Sequence, residues 1–234
     1  MTRIWVGSDG ATIYSETTVL ADRTGGWLVR AGMNRGNARL NGYALDQVHL
    51  VPVDRAVEVG FGGAVLLPQL IREAAFVCGV DRSQDVVNAA SHRFADAVRV
   101  GRAEFRTGLV EDLPLPDSTF DKALSVHTVY FWQSLRAGSA ELHRVLKPGG
   151  RVVLGFLPKA HMDRMNMPAD IFTPREPDEV IAALREAGFS DPEVRRPSTE
   201  TAWLVVTGTR RQVSAPGSGK ARRRSQLALL QGFA

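Results

Sequence analysis

The chain has 234 residues, 44% apolar and 23% charged, a composition that fits one globular domain able to bury a sizeable core. No run approaches the roughly 18 apolar residues of a membrane span, residues 1–20 carry no charged-then-apolar leader, and one cysteine, Cys78, leaves no internal disulfide and no thiolate-rich metal cluster. The formal charge of +4 is uneven: six basic and no acidic residues lie from Arg210 onward, which leaves 23 basic against 25 acidic, a net −2, for residues 1–209. A cytoplasmic protein with a slightly acidic body is therefore expected, with no membrane partner and a nucleic-acid partner disfavoured.

Residues 1–22, rich in Thr, Ser, Asp and Gly, read as a partly ordered lead. Over 23–48, Trp27, Leu28, Ala31, Leu40, Ala44 and Leu45 give an apolar helix face, while Asn34, Asn37 and Asn41 place amides along one side. A packing helix and a lid over a ligand pocket both fit. A first apolar strand, 56–59, then ends in Gly60-Phe61-Gly62-Gly63, and a second, 76–80, delivers Asp81 about twenty residues later. A glycine-rich turn followed at that distance by an acid suits a bound nucleoside. Glu58 stands two residues before the first glycine and Val65 where a dinucleotide fingerprint has its third. That carboxylate would repel a pyrophosphate but can face an ammonium, so the expected cofactor carries a ribose and an ammonium and no phosphate. Cys78, within the second strand, is expected to be a buried, inert core residue.

Further along, Val86, Val87, Ala90, Phe94, Ala97 and Val98 recur at helical spacing behind the N-cap Ser83. Strands are expected at 104–107, 122–126 and 152–156. Between the last two, Leu135, Leu142, Val145 and Leu146 follow Ser134 as a helix that Lys147-Pro148-Gly149-Gly150 should stop. An insertion holding His161 comes next, then a helix over 177–187 ended by Gly188, and closing strands near 193–196 and 202–207. From 210 the chain reads as a flexible basic tail, with Ser214-Ala215-Pro216-Gly217-Ser218-Gly219 in its middle. Such alternation specifies an α/β domain over 23–209, a parallel sheet of seven candidate strands covered by helices.

Five segments taken in order resemble the class I S-adenosylmethionine-dependent methyltransferases of small-molecule type. They are Val-Glu-Val-Gly-Phe-Gly-Gly at 57–63, Gly-Val-Asp-Arg-Ser at 79–83, Glu-Asp-Leu-Pro-Leu-Pro-Asp-Ser-Thr-Phe-Asp at 111–121, Glu-Leu-His-Arg-Val-Leu-Lys-Pro-Gly-Gly-Arg-Val-Val-Leu at 141–154, and Arg-Glu-Ala-Gly-Phe at 185–189. The resemblance implies a Rossmann-like, doubly wound, mostly parallel seven-stranded sheet with helices on both faces and an antiparallel final strand, S-adenosyl-L-methionine as cofactor, and methyl transfer to a small-molecule acceptor. It also implies donor contacts at Glu58, Gly60, Phe61, Gly62, Asp81, Arg82, Leu109, Val110, Glu111 and His127, with Asp81 on the ribose hydroxyls and 108–111 beside the adenine. Leu109 stands where the family usually has a polar side chain. The Asn-Pro-Pro-Tyr-type segment of many nucleic-acid base methylases is replaced by Ser125-Val126-His127-Thr128.

His127 and Tyr130 are the candidate catalytic residues, and no metal is expected. A neutral leaving group makes a base optional, so orientation can supply most of the acceleration; were His127 the base, the rate should fall below about pH 6.5. Phe131 and Trp132 fit either the core or a wall around the acceptor, and His161 fits a cap over it. A nicotinamide oxidoreductase conflicts with Glu58 and the missing glycine. A non-catalytic cofactor-binding module stays open.

Overall fold

The computed structural model describes residues 4–6, 13–15, 26–165, 169 and 172–212. Within the lead, β1 (Ile4–Val6) pairs antiparallel with β2 (Ile13–Ser15). The main sheet holds β3 (Arg55–Val59), β4 (Phe76–Asp81), β5 (Ala103–Thr107), β6 (Phe120–Val126), β7 (Leu146–Phe156), β8 (Phe189–Arg195) and β9 (Leu204–Arg210). Their order is β5-β4-β3-β6-β7-β9-β8, and β9 alone runs against the rest. This is the expected seven-stranded, mostly parallel sheet.

Side-chain alternation along the strands divides the core into two layers. Val57, Val59, Val152, Leu154 and Val206 meet Leu142 and Val145 of α5 (Leu135–Val145) and Val180 and Leu184 of α7 (Pro177–Ala187). On the other face Ala56, Val153 and Val205 meet α1 (Gly26–Val48), α2 (Leu67–Glu73) and α3 (Gln84–Arg93) through Leu40, Ala44, Leu67, Leu70 and Val87. Gly155 permits the closest approach of α1, since a Cβ there would lie 3.1 Å from Leu40 Cδ1. From Leu40 onward α1 is thus a packing helix, and the side chains that bear on a lid, before 37, lie outside the description.

Local chemistry explains where the boundaries differ from expectation. The helix behind Ser83 breaks at Phe94 into α3 and α4 (Ala95–Arg99). Helix α5, capped by Ser134 Oγ accepting from Ala137 N, stops at Val145, and Leu146 already pairs with Phe120 in β7. The Lys-Pro-Gly-Gly run sits inside β7, where the pairing slips between Phe120 and Lys122; Gly149 takes φ +83°, and a Cβ on Gly150 would lie 2.8 Å from Lys147 O. Helix α7 has a capping box between Glu176 and Glu179 and ends, as expected, at Gly188 with φ +102°.

The boundary at 210 needs correcting. Arg210 is the last residue of β9, and its Nη1 donates to Ser118 Oγ and to the carbonyls of His143, Arg144 and Leu146. A guanidinium thereby answers the open carbonyls and negative dipole end of α5. Gln212 follows it against Gly149. The rest of the expected tail, from 213, lies outside the described residues. Arg210→Ala should cost roughly 1.5–3 kcal/mol and lower the melting temperature by about 3–12 °C in a thermal melt, whereas a chain ending at Gln212 should keep the bonds that one ending at Thr209 loses.

Candidate functional site

Five strand ends build the site at the carboxyl edge of the sheet, with β3, β4, β5, β6 and β7 each delivering one loop. After β3 the chain turns through Gly60 (φ +74°) and Gly62 (φ +44°), with Gly60 N donating to Val80 O at 2.7 Å. Their two glycines serve different neighbours. A Cβ on Gly60 would lie 2.4 Å from Thr128 Cγ2, so this chain's own threonine fills that space, whereas nothing stands within 4 Å of a Cβ on Gly62. The open side of the turn is therefore at Gly62. Phe61 points away, buried against Phe105 at 5.7 Å between ring centroids, and only its backbone borders the turn.

Asp81 closes the turn from β4. Its Oδ2 accepts from Gly62 N at 2.9 Å and its Oδ1 from Ser83 N at 3.0 Å, so one carboxylate, 8% exposed, fixes both strand-to-helix turns. Each oxygen keeps a lone pair for another donor. Glu58 is 4% exposed, and its Oε2 has no hydrogen-bond partner. Burial, with the Asp81 charge adding to it, pushes this carboxyl up to about 8. Arg82 is exposed beside them. Cys78 lies in the core as expected, its thiol pushed up to about 12 by burial.

The adenine-side candidates separate in the same way. Leu109 is 48% exposed, whereas Val110 is buried beside Trp132 and Gly138. Glu111 Oε1 accepts from Gln133 N at 2.7 Å and Ser134 N at 3.3 Å, so it braces the start of α5. Arg144 holds the loop that follows, donating to Leu113 O, Leu115 O, Asp117 and Glu141, while Leu113 N donates to Glu141.

After β6, His127 takes φ +60° and its N–H donates to Gly155 O at 2.7 Å. The residue as a whole is half-buried, yet Nε2 is sealed and without a partner, and Nδ1 lies 3.5 Å from Tyr130 Oη. Burial pushes the imidazole down to about 4, so it is neutral throughout the physiological range. Tyr130, in the 3₁₀ turn Val129–Phe131, is buried and its hydroxyl accepts from Leu157 N at 2.6 Å. Trp132 is core, whereas Phe131 is 38% exposed with its ring 5.0 Å from Phe172. Arg175 ties the wall together: its Nη2 donates to Trp132 O at 2.8 Å and its carbonyl accepts from Lys159 N at 2.9 Å, at the start of α6 (Lys159–Met162), the short helix that carries His161. The sequence gives no sign of Arg175, 43 positions from its partner; Arg144 is hinted at only by its spacing from Glu141. Among the described residues no cluster of His, Cys, Asp and Glu could hold a metal ion.

The methyltransferase domain family matches residues 57–154, which span β3 to β7. An uncharacterized methyltransferase of Bacillus subtilis, YdaC, is 27% identical over 164 residues, covering 68% of this chain and 84% of that protein. The erythromycin 3''-O-methyltransferase of Saccharopolyspora erythraea is 29% identical over 196 residues, covering 74% of this chain and 63% of its own. In structure, an S-adenosylmethionine-dependent methyltransferase from Mesorhizobium loti superposes with a TM-score of 0.62 at 18% identity, over 72% of this chain and 96% of the other.

The buried carboxyl gives a signed expectation. Glu58 holds in the folded state a proton that the unfolded chain releases near 4.5, so folded stability falls as pH rises between about 4.5 and about 8. His127, His49 and His143, all lowered, oppose this only below their ordinary 6.5. Melts of the ligand-free protein should therefore show stability declining from pH 6.5 to 8 by on the order of 1–2 kcal/mol, and Glu58→Gln should flatten that decline.

Proposed function

We propose that the chain is a class I S-adenosylmethionine-dependent methyltransferase that passes the methyl group to a small-molecule acceptor by in-line displacement, with orientation rather than a protein base supplying most of the acceleration. The observation that carries the reading is the Asp81 carboxylate, held by two backbone N–H groups beside the open face of Gly62. S-adenosylmethionine supplies a methyl group already activated on a sulfonium. The residues present fit it: Asp81 offers its remaining lone pairs to ribose hydroxyls, the bare Gly62 leaves room for close approach, and Glu58 supplies negative charge once ionised. Leu109 and Arg82 border the base, with Val110 contributing backbone and Glu111 bracing rather than touching.

His127 and Tyr130 support a positioning role. A sealed imidazole at about 4 is a weak base at neutral pH, and the Tyr130 hydroxyl is engaged by Leu157 N. On this reading the acceptor brings its own nucleophile, and the half-exposed Phe131 with Phe172 gives its apolar part a wall. The named activity of the erythromycin relative supports a small-molecule acceptor. A domain over 23–212 and a cytoplasmic site of action complete the proposal; among the described residues no helix is long and apolar enough to cross a membrane.

Three measurements test this. Calorimetry should show S-adenosylmethionine and its demethylated product binding while NAD and NADP do not. Asp81→Ala should weaken that binding by roughly 1.5–3 kcal/mol and, because the carboxylate also pins Gly62 and Ser83, should lower the melting temperature. Wild-type turnover, found by screening acceptors with labelled donor, should follow the acceptor's ionisation between pH 5 and 8, without the loss below about 6.5 that a histidine base would impose. A profile that follows an ordinary histidine would overturn the proximity mechanism.

A further inference from the structure

Ser125, Thr128 and Trp132 form a hydrogen-bonded chain whose direction follows from counting protons. Ser125 Oγ donates to Val59 O at 2.6 Å, which uses its one hydrogen. The 2.5 Å contact between Ser125 Oγ and Thr128 Oγ1 must then be a donation from Thr128. Trp132 Nε1, a donor only, gives its hydrogen to Thr128 Oγ1 at 3.1 Å. The chain therefore runs from the indole N–H through two hydroxyls to the carbonyl of the peptide bond that enters Gly60, and successive bonds of one direction polarise each other. Thr128 also meets the same turn through its methyl group, which occupies the space a Cβ on Gly60 would need. At its other end, Trp132 lies under the wall that Arg175 fixes, with Nη2 of Arg175 on its carbonyl.

We propose that Thr128 is a positioning residue coupling the donor turn to the acceptor wall: its methyl group sets the backbone of Gly60 against the donor, and its hydroxyl transmits the state of that turn to Trp132. This rests on the donor reading given above. Two conservative changes divide the roles. Thr128→Val keeps the methyl contact and breaks the chain; Thr128→Ser keeps the chain and frees Gly60.

The test uses the full chain, S-adenosylhomocysteine as titrant, calorimetry for affinity, and the ¹⁵N-indole signal of Trp132, assigned by its loss in Trp132→Phe. In the wild type that signal should move and saturate with the calorimetric isotherm. Thr128→Val should bind within about threefold of wild type while its Trp132 signal no longer responds, and Ser125→Ala should behave alike, which covers failure of the valine variant to fold. Thr128→Ser should keep the response but bind about threefold to tenfold more weakly. A Trp132 signal indifferent to a ligand that calorimetry shows bound to the wild type would overturn the coupling. So would equal loss of affinity in both threonine variants accompanied by equal loss of melting temperature, the mark of a merely structural residue. Absence of any binding to the wild type would remove the donor reading, and the coupling with it.

Discussion

The Asp81 carboxylate is the constraint on which the site depends. Two turns leave neighbouring parallel strands with backbone N–H groups that no strand or helix satisfies, and one side chain accepts from both, at Gly62 and Ser83. Its own backbone joins in, since Asp81 O accepts from Gly108 N and so ties the third turn, after β5, to the second. Three loops from three strands thereby share one residue. Their mutual placement follows from the sheet register, in which Glu58 opposes Gly79 and Asp81 opposes Thr107, and needs no contact from a ligand. This is preorganisation in its plain sense, because the polar groups are oriented by the fold before anything binds.

Around that clamp the electrostatics are asymmetric. Asp81 has two N–H groups to support its charge, while Glu58 Oε2 has none, and the first makes ionisation of the second harder. Near neutrality the Glu58 carboxyl thus holds its proton. A cation arriving at the turn would shift the balance towards the second charge, so affinity for a positively charged ligand and proton release are linked. His127, which follows the neighbouring strand β6, is kept neutral by burial and offers the site no positive charge.

Most of the fold was legible because its signals are local. Apolar strands of five or six residues, Ser83 and Ser134 as caps and Gly188 as a stop each act within a few positions, and the structure uses them so. Where expectation and structure diverge, a distant partner decides. The Lys-Pro-Gly-Gly run looks like a helix stop, but pairing with Phe120 draws Leu146 into β7. Arg210 looks like the first charge of a basic tail, but the open end of α5, more than sixty positions earlier, claims it. Within the site, residue types and spacing pointed to Asp81 and Glu58, whose chemistry is their own. They did not separate Gly60 from Gly62, because the difference lies in Thr128, nor Glu111 from a ligand contact, because its partners at Gln133 and Ser134 are 22 and 23 positions away.

The reversed direction of β9 has a practical consequence. Its pairing of Arg151 with Thr209 and of Phe156 with Leu204 means that β9 ends beside the start of β7, on the edge of the sheet opposite the glycine turn. The main chain thus reaches Gln212 with the whole thickness of the domain between it and the site. A fluorophore, affinity handle or solid support attached at Gln212 itself would sit away from the mouth of the site, whereas the same attachment on the loops after β4 or β6 would sit at its rim.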